Sequence, residues 1–201
     1  MLKTRTLSCV LAGGLVAGFA GVVAAEETVY VGLSGGQAEV KDFCDGIGTG
    51  CDDNATTVRV YAGGFIDKYL AFEGGYRYVD DVTMEASVPG MRAKLEMGYH
   101  MFDGSLLLFT PDLGPLRLFA KVGGQFWRQD VSASLTGFGR ANEDEQGFSL
   151  RTGVGATMDV TDSISLRVEY DYLQSIGEEV ADMQNFKSDI HVISAGPEFR
   201  F

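Results

Sequence analysis

The sequence predicts an all-β chain, an eight-stranded antiparallel up-and-down transmembrane β-barrel. Three observations point there. Alternating apolar and polar stretches recur an even number of times, each roughly 10–12 residues long, which suits a tilted strand crossing an apolar band about 25 Å tall. On several of these stretches charged residues fill the face opposite the apolar one, and a soluble domain of 201 residues would not bury that many charges. The chain runs out on GPEFRF (196–201), an alternating strand with an aromatic carboxyl terminus. In this strand Phe199, Pro197, Ala195 and Ile193 share one face, and Arg200, Glu198, Gly196 and Ser194 the other. A soluble eight-stranded barrel would reverse the faces and leave Glu73, Lys94, Lys121 and Arg167 in water.

Residues 1–25 read as a secretory signal peptide ahead of a barrel domain at 26–201. Lys3 and Arg5 form a basic start, Val10 to Ala25 carry no charge, and Val23-Ala24-Ala25 precede Glu26 as a small-residue cleavage site between Ala25 and Glu26. Cys9 lies before the apolar run, which is the wrong place for a lipoprotein signal. Cleavage leaves 176 residues with 14 Lys+Arg against 28 Asp+Glu, a net of −14. Such a charge excludes nucleic acid as a partner and argues against general adhesion to anionic lipid. No later stretch is apolar for 18 residues, so export without a spanning helix leaves a soluble periplasmic or secreted domain or an outer-membrane barrel, and 27 Gly, 8 Tyr and 13 Phe favour the barrel of a Gram-negative cell.

The first strand, TVYVGLSGGQA, turns Val29, Val31 and Leu33 outward and Tyr30, Gly32 and Ser34 inward. The second, TTVRVYAGGFI, faces lipid with Val58, Val60 and Ala62 and the lumen with Arg59 and Gly63. Asp67-Lys68 make a tight turn. The third, YLAFEGGYRYV, separates Leu70, Phe72, Tyr76 and Tyr78 from Ala71, Glu73, Gly75 and Arg77. After a loop through Pro89-Gly90, the fourth strand, MRAKLEMGYHM, is expected to face lipid with Met91, Ala93, Leu95, Met97 and Tyr99. Its expected inner face is Arg92, Lys94, Glu96, Gly98 and His100. The segment FDGSLLLFTPDLGP (102–115) fits no tight turn; an extension of both strands and a short helix are both open. The fifth strand, LRLFAKVGGQFW, has Leu118, Ala120 and Val122 outside and Lys121 inside. A polar loop (128–146) separates it from the sixth, GFSLRTGVGATM, with Arg151 and Gly153 inside. The seventh, ISLRVEYDYL, puts Leu166, Val168, Tyr170 and Tyr172 outside and Arg167, Glu169 and Asp171 inside. Short turns after strands two and six alternate with long connections after one, three, five and seven, which places both termini at the periplasmic side.

Cys44 and Cys51 bracket a six-residue Gly-rich loop in KDFCDGIGTGCDDN. In an oxidising compartment a disulfide is the stronger reading, because no His is nearby and two thiolates do not fill a zinc shell. No cofactor or metal is implied. The acidic runs at 51–53 and 143–145 match no defined calcium-loop spacing.

Three stretches resemble the OmpA-like transmembrane domain family: LAFEGGYRY (70–78), LFAKVGGQFWRQD (118–130) and SLRVEYDY (165–172). Their order and spacing extend over 28–201. The resemblance implies a monomeric barrel whose interior is a network of ion pairs. By position Glu73 matches the family's gating carboxylate and Arg167 its arginine partner, with Lys121 and Glu169 as neighbouring inner charges. Arg77, Lys94 and Glu96 complete the expected lumen pairs. GPEFRF is similar to the terminal strand read by the barrel-assembly machinery, with Phe199 and Phe201 as the signal. Where the family has a second inner carboxylate on strand six this chain has Gly155, and Glu96 is the candidate to compensate. Members that grip the cell wall continue into a periplasmic domain, and anchoring is not expected of a chain ending at Phe201.

The expected function is structural support of the envelope or surface interaction through the outer loops. The expected contacts are outer-membrane lipid, lipopolysaccharide and an unidentified surface partner. A narrow low-conductance channel is the first alternative and a lipid-modifying enzyme the second. The enzyme is disfavoured because His191 and Ser194, three residues apart on a strand, point to opposite faces, and His100 has no serine beside it.

Overall fold

The structure, a computed structural model, describes residues 29–41, 43–44, 51–88, 91–135, 139–176 and 188–201. The leader expected over 1–25, with its boundary at Ala25–Glu26, lies outside the described residues. None of the described residues is helical. Nine strand segments occur in chain order: β1 Val29–Val40, β2 Cys51–Asp52, β3 Asn54–Phe65, β4 Leu70–Val88, β5 Met91–Phe109, β6 Leu116–Leu135, β7 Gly139–Thr161, β8 Ile164–Ile176 and β9 Ser188–Arg200. β2 and β3 are separated by one residue and both pair with β4, so they form one interrupted strand and the barrel has eight staves. Every stave pairs antiparallel with its sequence neighbours, and β1 pairs with β9, from Tyr30 opposite Arg200 to Val40 opposite Ile190. Closure leaves no free edge in the membrane-crossing part, which lipid would penalise heavily.

The alternation works as the lipid environment requires. Val31, Val60, Leu106, Val122, Val154 and Ile193 face outward, while Ser34, Arg59, Glu73, Lys121 and Arg167 are buried inside. Short turns at 66–69 and 162–163, the connection 110–115 and both described chain ends gather at one end of the barrel, the turn end. The opposite, loop end is extended. β4, β5, β6 and β7 run for 19, 19, 20 and 23 residues against 12 or 13 for β1, β3, β8 and β9. Long polar loops expected after the third and fifth strands are therefore largely strand. The pattern is legible in hindsight: Val131, Ala133 and Leu135 alternate with polar residues, and Val82 and Met84 resume the alternation after an irregularity between Val79 and Val82.

The fourth strand differs most from expectation. Met101, Ser105, Leu107 and Phe109 are buried inside and Phe102, Leu106 and Leu108 face lipid, so residues 102–109 are the membrane-crossing part of β5. Tyr99 is inside and His100 outside, the reverse of the expected faces. Above them, Lys94 and Glu96 lie on the outer side of the extension. The sequence misled because the outer face of β5 changes from apolar to charged where the strand leaves the lipid.

Candidate functional site

The lumen is built in three layers. At the turn end, Tyr30, Tyr61, Ala71, Leu107, Phe109 and Phe119 form a buried apolar cluster with Phe65 against it. At the loop end a larger cluster joins Val40, Val79, Val82, Tyr99, Met101, Trp127, Leu173, Ile176, Ile190 and Val192 to their neighbours, with Phe43 and Met97 packed on it. Charges occupy the middle.

Among the described residues that middle layer holds five cations, Arg59, Arg77, Lys121, Arg151 and Arg167, and five anions, Glu73, Asp103, Glu169, Asp171 and Glu198, all with buried side chains. The count is balanced, so ion pairing can offset the several kcal/mol that each buried charge costs alone. Arg167 Nη1 donates to Glu73 Oε2 at 2.6 Å and to Glu198 Oε2 at 3.2 Å, and its Nε donates to Glu169 at 3.0 Å. Arg59 grips both Asp103 oxygens, at 2.5 and 3.1 Å, and stands 2.9 Å from Glu73. Lys121 Nζ lies 2.9 Å from Glu169 and 2.6 Å from Asp171. Arg151 bonds Asp171 at 2.8 Å and also pairs with Asp103, while Arg77 closes on Asp171. The Tyr30 hydroxyl donates to Glu73 at 3.1 Å, so all eight staves enter one network.

The network meets the turn-end layer at Arg167, whose guanidinium lies 4.6 Å from the Tyr61 ring centre and 4.4 Å from that of Phe119. Two glycines make the room. A Cβ on Gly155 would meet Phe119 at 2.4 Å, so the ring fills the place where a carboxylate was expected in the family. A Cβ on Gly153 would meet Asp171 and Lys121 at 2.5 and 2.7 Å.

Of the expected lumen residues, Glu73, Arg77, Lys121, Arg167 and Glu169 meet here, and Lys94 and Glu96 do not. Those two pair with each other at 2.8 Å, half-exposed above the lipid level, and Glu96 does not compensate for Gly155. Asp103, on the segment the sequence left open, is the inner carboxylate of β5. Its signal was Phe102, Leu106 and Leu108 alternating with Asp103 and Ser105.

The outer surface has its own boundary. Phe102, Phe126 and Phe148 give way on the same strands to His100, Arg128 and Asp144. Tyr76 and His100 Nδ1 share a hydrogen bond of 2.7 Å, His100 Nε2 lies 3.4 Å from Asp130, and Tyr172 donates to Asp189 at 2.5 Å, which is a polar and aromatic girdle. Ser194 is buried in the lumen, and the His191 ring lies against Tyr170 and Tyr172 on the outside. Above the girdle, burial pushes the Asp81 carboxyl above its ordinary range, aided by Asp80 and Glu96, while a hydrogen bond to Glu96 raises Lys94. Cys44 and Cys51 form a disulfide, and Cys51 pairs with Met84, which fastens the first connection to the β4 extension. Phe199 faces outward, and the Phe201 N–H donates to Val29 O at 2.9 Å.

A closed barrel that is apolar outside and ionic inside defines an outer-membrane β-barrel protein, with the turn end toward the periplasm. A family model described as OmpA-like transmembrane domain matches residues 24–201, and the chain belongs to that family. It is 25% identical over 198 residues to outer membrane protein A of Shigella flexneri, covering 92% of this chain and 53% of that protein. To outer membrane protein A of Klebsiella pneumoniae it is 28% identical over 149 residues, 69% of this chain and 39% of that one. The chain thus spans about half the length of curated relatives it matches. Among solved structures it is similar to Ail of Yersinia pestis in complex with the heparin analogue sucrose octasulfate. That match has TM-score 0.57 and 16% identity, covering 88% of this chain and 100% of the other. Neisserial surface protein A matches with TM-score 0.56 and 18% identity, over 87% and 97%. These last two likenesses concern the fold.

Proposed function

We propose that this barrel is a sealed, non-conducting outer-membrane protein whose work is done at its outer surface, in envelope structure and surface interaction. The carrying observation is the three-layer lumen. An ion path would have to cross an apolar cluster at each end and a balanced charge network between them, and an eight-stranded interior is just wide enough for side chains to fill. The relatives bear the name outer membrane protein A and the matched family is a transmembrane domain, which supports the same reading over an enzymatic one.

The outward part carries the character of the molecule. Residues 39–53, 80–96, 128–145 and 178–189 hold 17 Asp+Glu against 6 Lys+Arg, nearly the whole net charge of −12. Ail was solved with a polyanion. A polyanion would be repelled by the outer surface of this chain, which favours a cationic partner instead. The signal peptide, assembly through Phe199 and Phe201, and a monomeric state complete the proposal.

The test is complementation of a deletion strain with two variants, scoring detergent sensitivity and adherence. One variant trims the β4–β5 and β6–β7 extensions to the lipid boundary; the other replaces Glu73 by Gln. The reading expects the trimmed barrel to fold and lose the phenotype while Glu73→Gln retains it. The opposite pattern would place the function in the lumen.

A further inference from the structure

Above the lipid, the described residues no longer close the barrel. β8 pairs with β7 only as far as Leu173 opposite Arg151, whereas β6 stays paired with β7 up to Leu135 opposite Gly139. Among the described residues, nothing pairs with the β8-facing edge of β7 from Gly139 to Leu150. Of this stretch, Phe148 and Leu150 lie at lipid level, and beyond them the described residues leave the β8-facing side of Gly139–Gln146 without a strand partner. The opposite side of the same extension differs, because β2 pairs with β4 there, Cys51 opposite Met84.

Proteins usually blunt such an edge with proline, a bulge or a short strand. This one has none of these. The β6–β7 ladder runs without a register shift, and no proline occurs between Gly139 and Gln146. Along it the sequence places three acids, Glu143, Asp144 and Glu145, against Arg140. Acids deter a second copy of the same edge, yet they attract an extended segment of opposite charge.

We propose that the free β7 edge is a strand-addition site for a basic, extended segment of a partner protein outside the cell. Main-chain hydrogen bonds to the unpaired N–H and C=O groups supply the affinity, and the acidic edge and surroundings select Lys- or Arg-rich partners. This rests on the surface-interaction reading and names its partner chemistry.

The experiment uses the full barrel in lipid nanodiscs and hydrogen–deuterium exchange read by mass spectrometry. The probes are a peptide of about ten residues alternating Lys and Thr, its Glu/Thr counterpart, and the basic peptide N-methylated at alternate residues. Without peptide, the outward amides of 139–146 should exchange freely. The basic peptide should slow them by at least about tenfold, and the acidic and N-methylated peptides should not. The double variant Glu143→Lys, Glu145→Lys, checked for folding by its gel mobility, should weaken that effect. Protection without peptide would mean that the chain or a second copy already covers the edge, and would overturn the proposal. Equal binding of the N-methylated peptide would reduce it to charge attraction and overturn it as well. Ion conduction by the barrel would instead overturn the sealed-lumen reading, so the two failures are distinguishable.

Discussion

Replacing Glu73 by Ala removes the carboxylate on which three other staves converge. Glu73 is fully buried and takes Arg167 at 2.6 Å, Arg59 at 2.9 Å and the Tyr30 hydroxyl at 3.1 Å. Breaking a buried pair by deleting one partner costs about 3–5 kcal/mol, because a charge stays buried without its counterion. Here each cation keeps another acid: Arg59 has Asp103, and Arg167 has Glu169 and Glu198. The residual imbalance is one positive charge in a layer that was neutral, so the cost should fall at the lower end, about 3 kcal/mol. Glu73→Gln removes the same charge but keeps an acceptor, and should cost about half as much. The assay is urea unfolding of the barrel in lipid vesicles, followed by tryptophan fluorescence of Trp127. A loss below about 0.5 kcal/mol for Glu73→Ala, with no difference from Glu73→Gln, would refute the network as the source of lumen stability.

Other expectations follow from the same geometry. Leu166→Arg, one residue from Arg167 but facing lipid, should cost about 2–4 kcal/mol if near the midplane, measured by the same unfolding series. Asp103→Asn should destabilise more than Glu96→Gln in that series, because only Asp103 is in the buried network. The Asp81 carboxyl, raised by partial desolvation and by the Asp80 and Glu96 charges beside it, makes the β4–β5 extension slightly less stable when ionised, an effect that solvent screening keeps small at this exposed residue. As pH falls through the raised value the folded form takes up the proton first, so protection of residues 80–98 from protease should increase, and this gain should be complete below the ordinary Asp range. Cys44→Ser should free the first connection and Phe43 beside it, raising amide exchange at the loop-end cluster with little change in global unfolding. The folded protein should resist SDS at room temperature and change mobility after boiling, since a closed ladder opens only as a whole.

Much of this arrangement was legible before the fold was seen. Seven strands declare their faces in the sequence because inside and outside alternate with opposite polarity, as in Arg167, Glu169 and Asp171 against Leu166, Val168 and Tyr170. The exception is instructive. In β5 the run Leu106-Leu107-Leu108-Phe109 is apolar on both faces, since Leu107 and Phe109 belong to the inner turn-end cluster, so no period marks the strand there. Its charged alternation from Lys94 to His100 belongs to the part above lipid, where the outward face is polar. Both apolar lumen clusters were hidden for the same reason. Val79 and Phe119 share the inner faces of Arg77 and Lys121 by alternation, but nothing in their apolar side chains says that they close the lumen, and the Gly123-Gly124 pair leaves the face of Trp127 open in the sequence. The ion pairs could be named by sign and face, but their partners are set by the stagger of distant staves, as with Glu73 and Arg167.

Planar-bilayer recording of the purified barrel decides whether the lumen is sealed. No discrete openings are expected, in wild type or in Glu73→Gln, because the apolar clusters at both ends remain. Regular single-channel openings in the wild type, altered by Glu73→Gln, would contradict a sealed lumen.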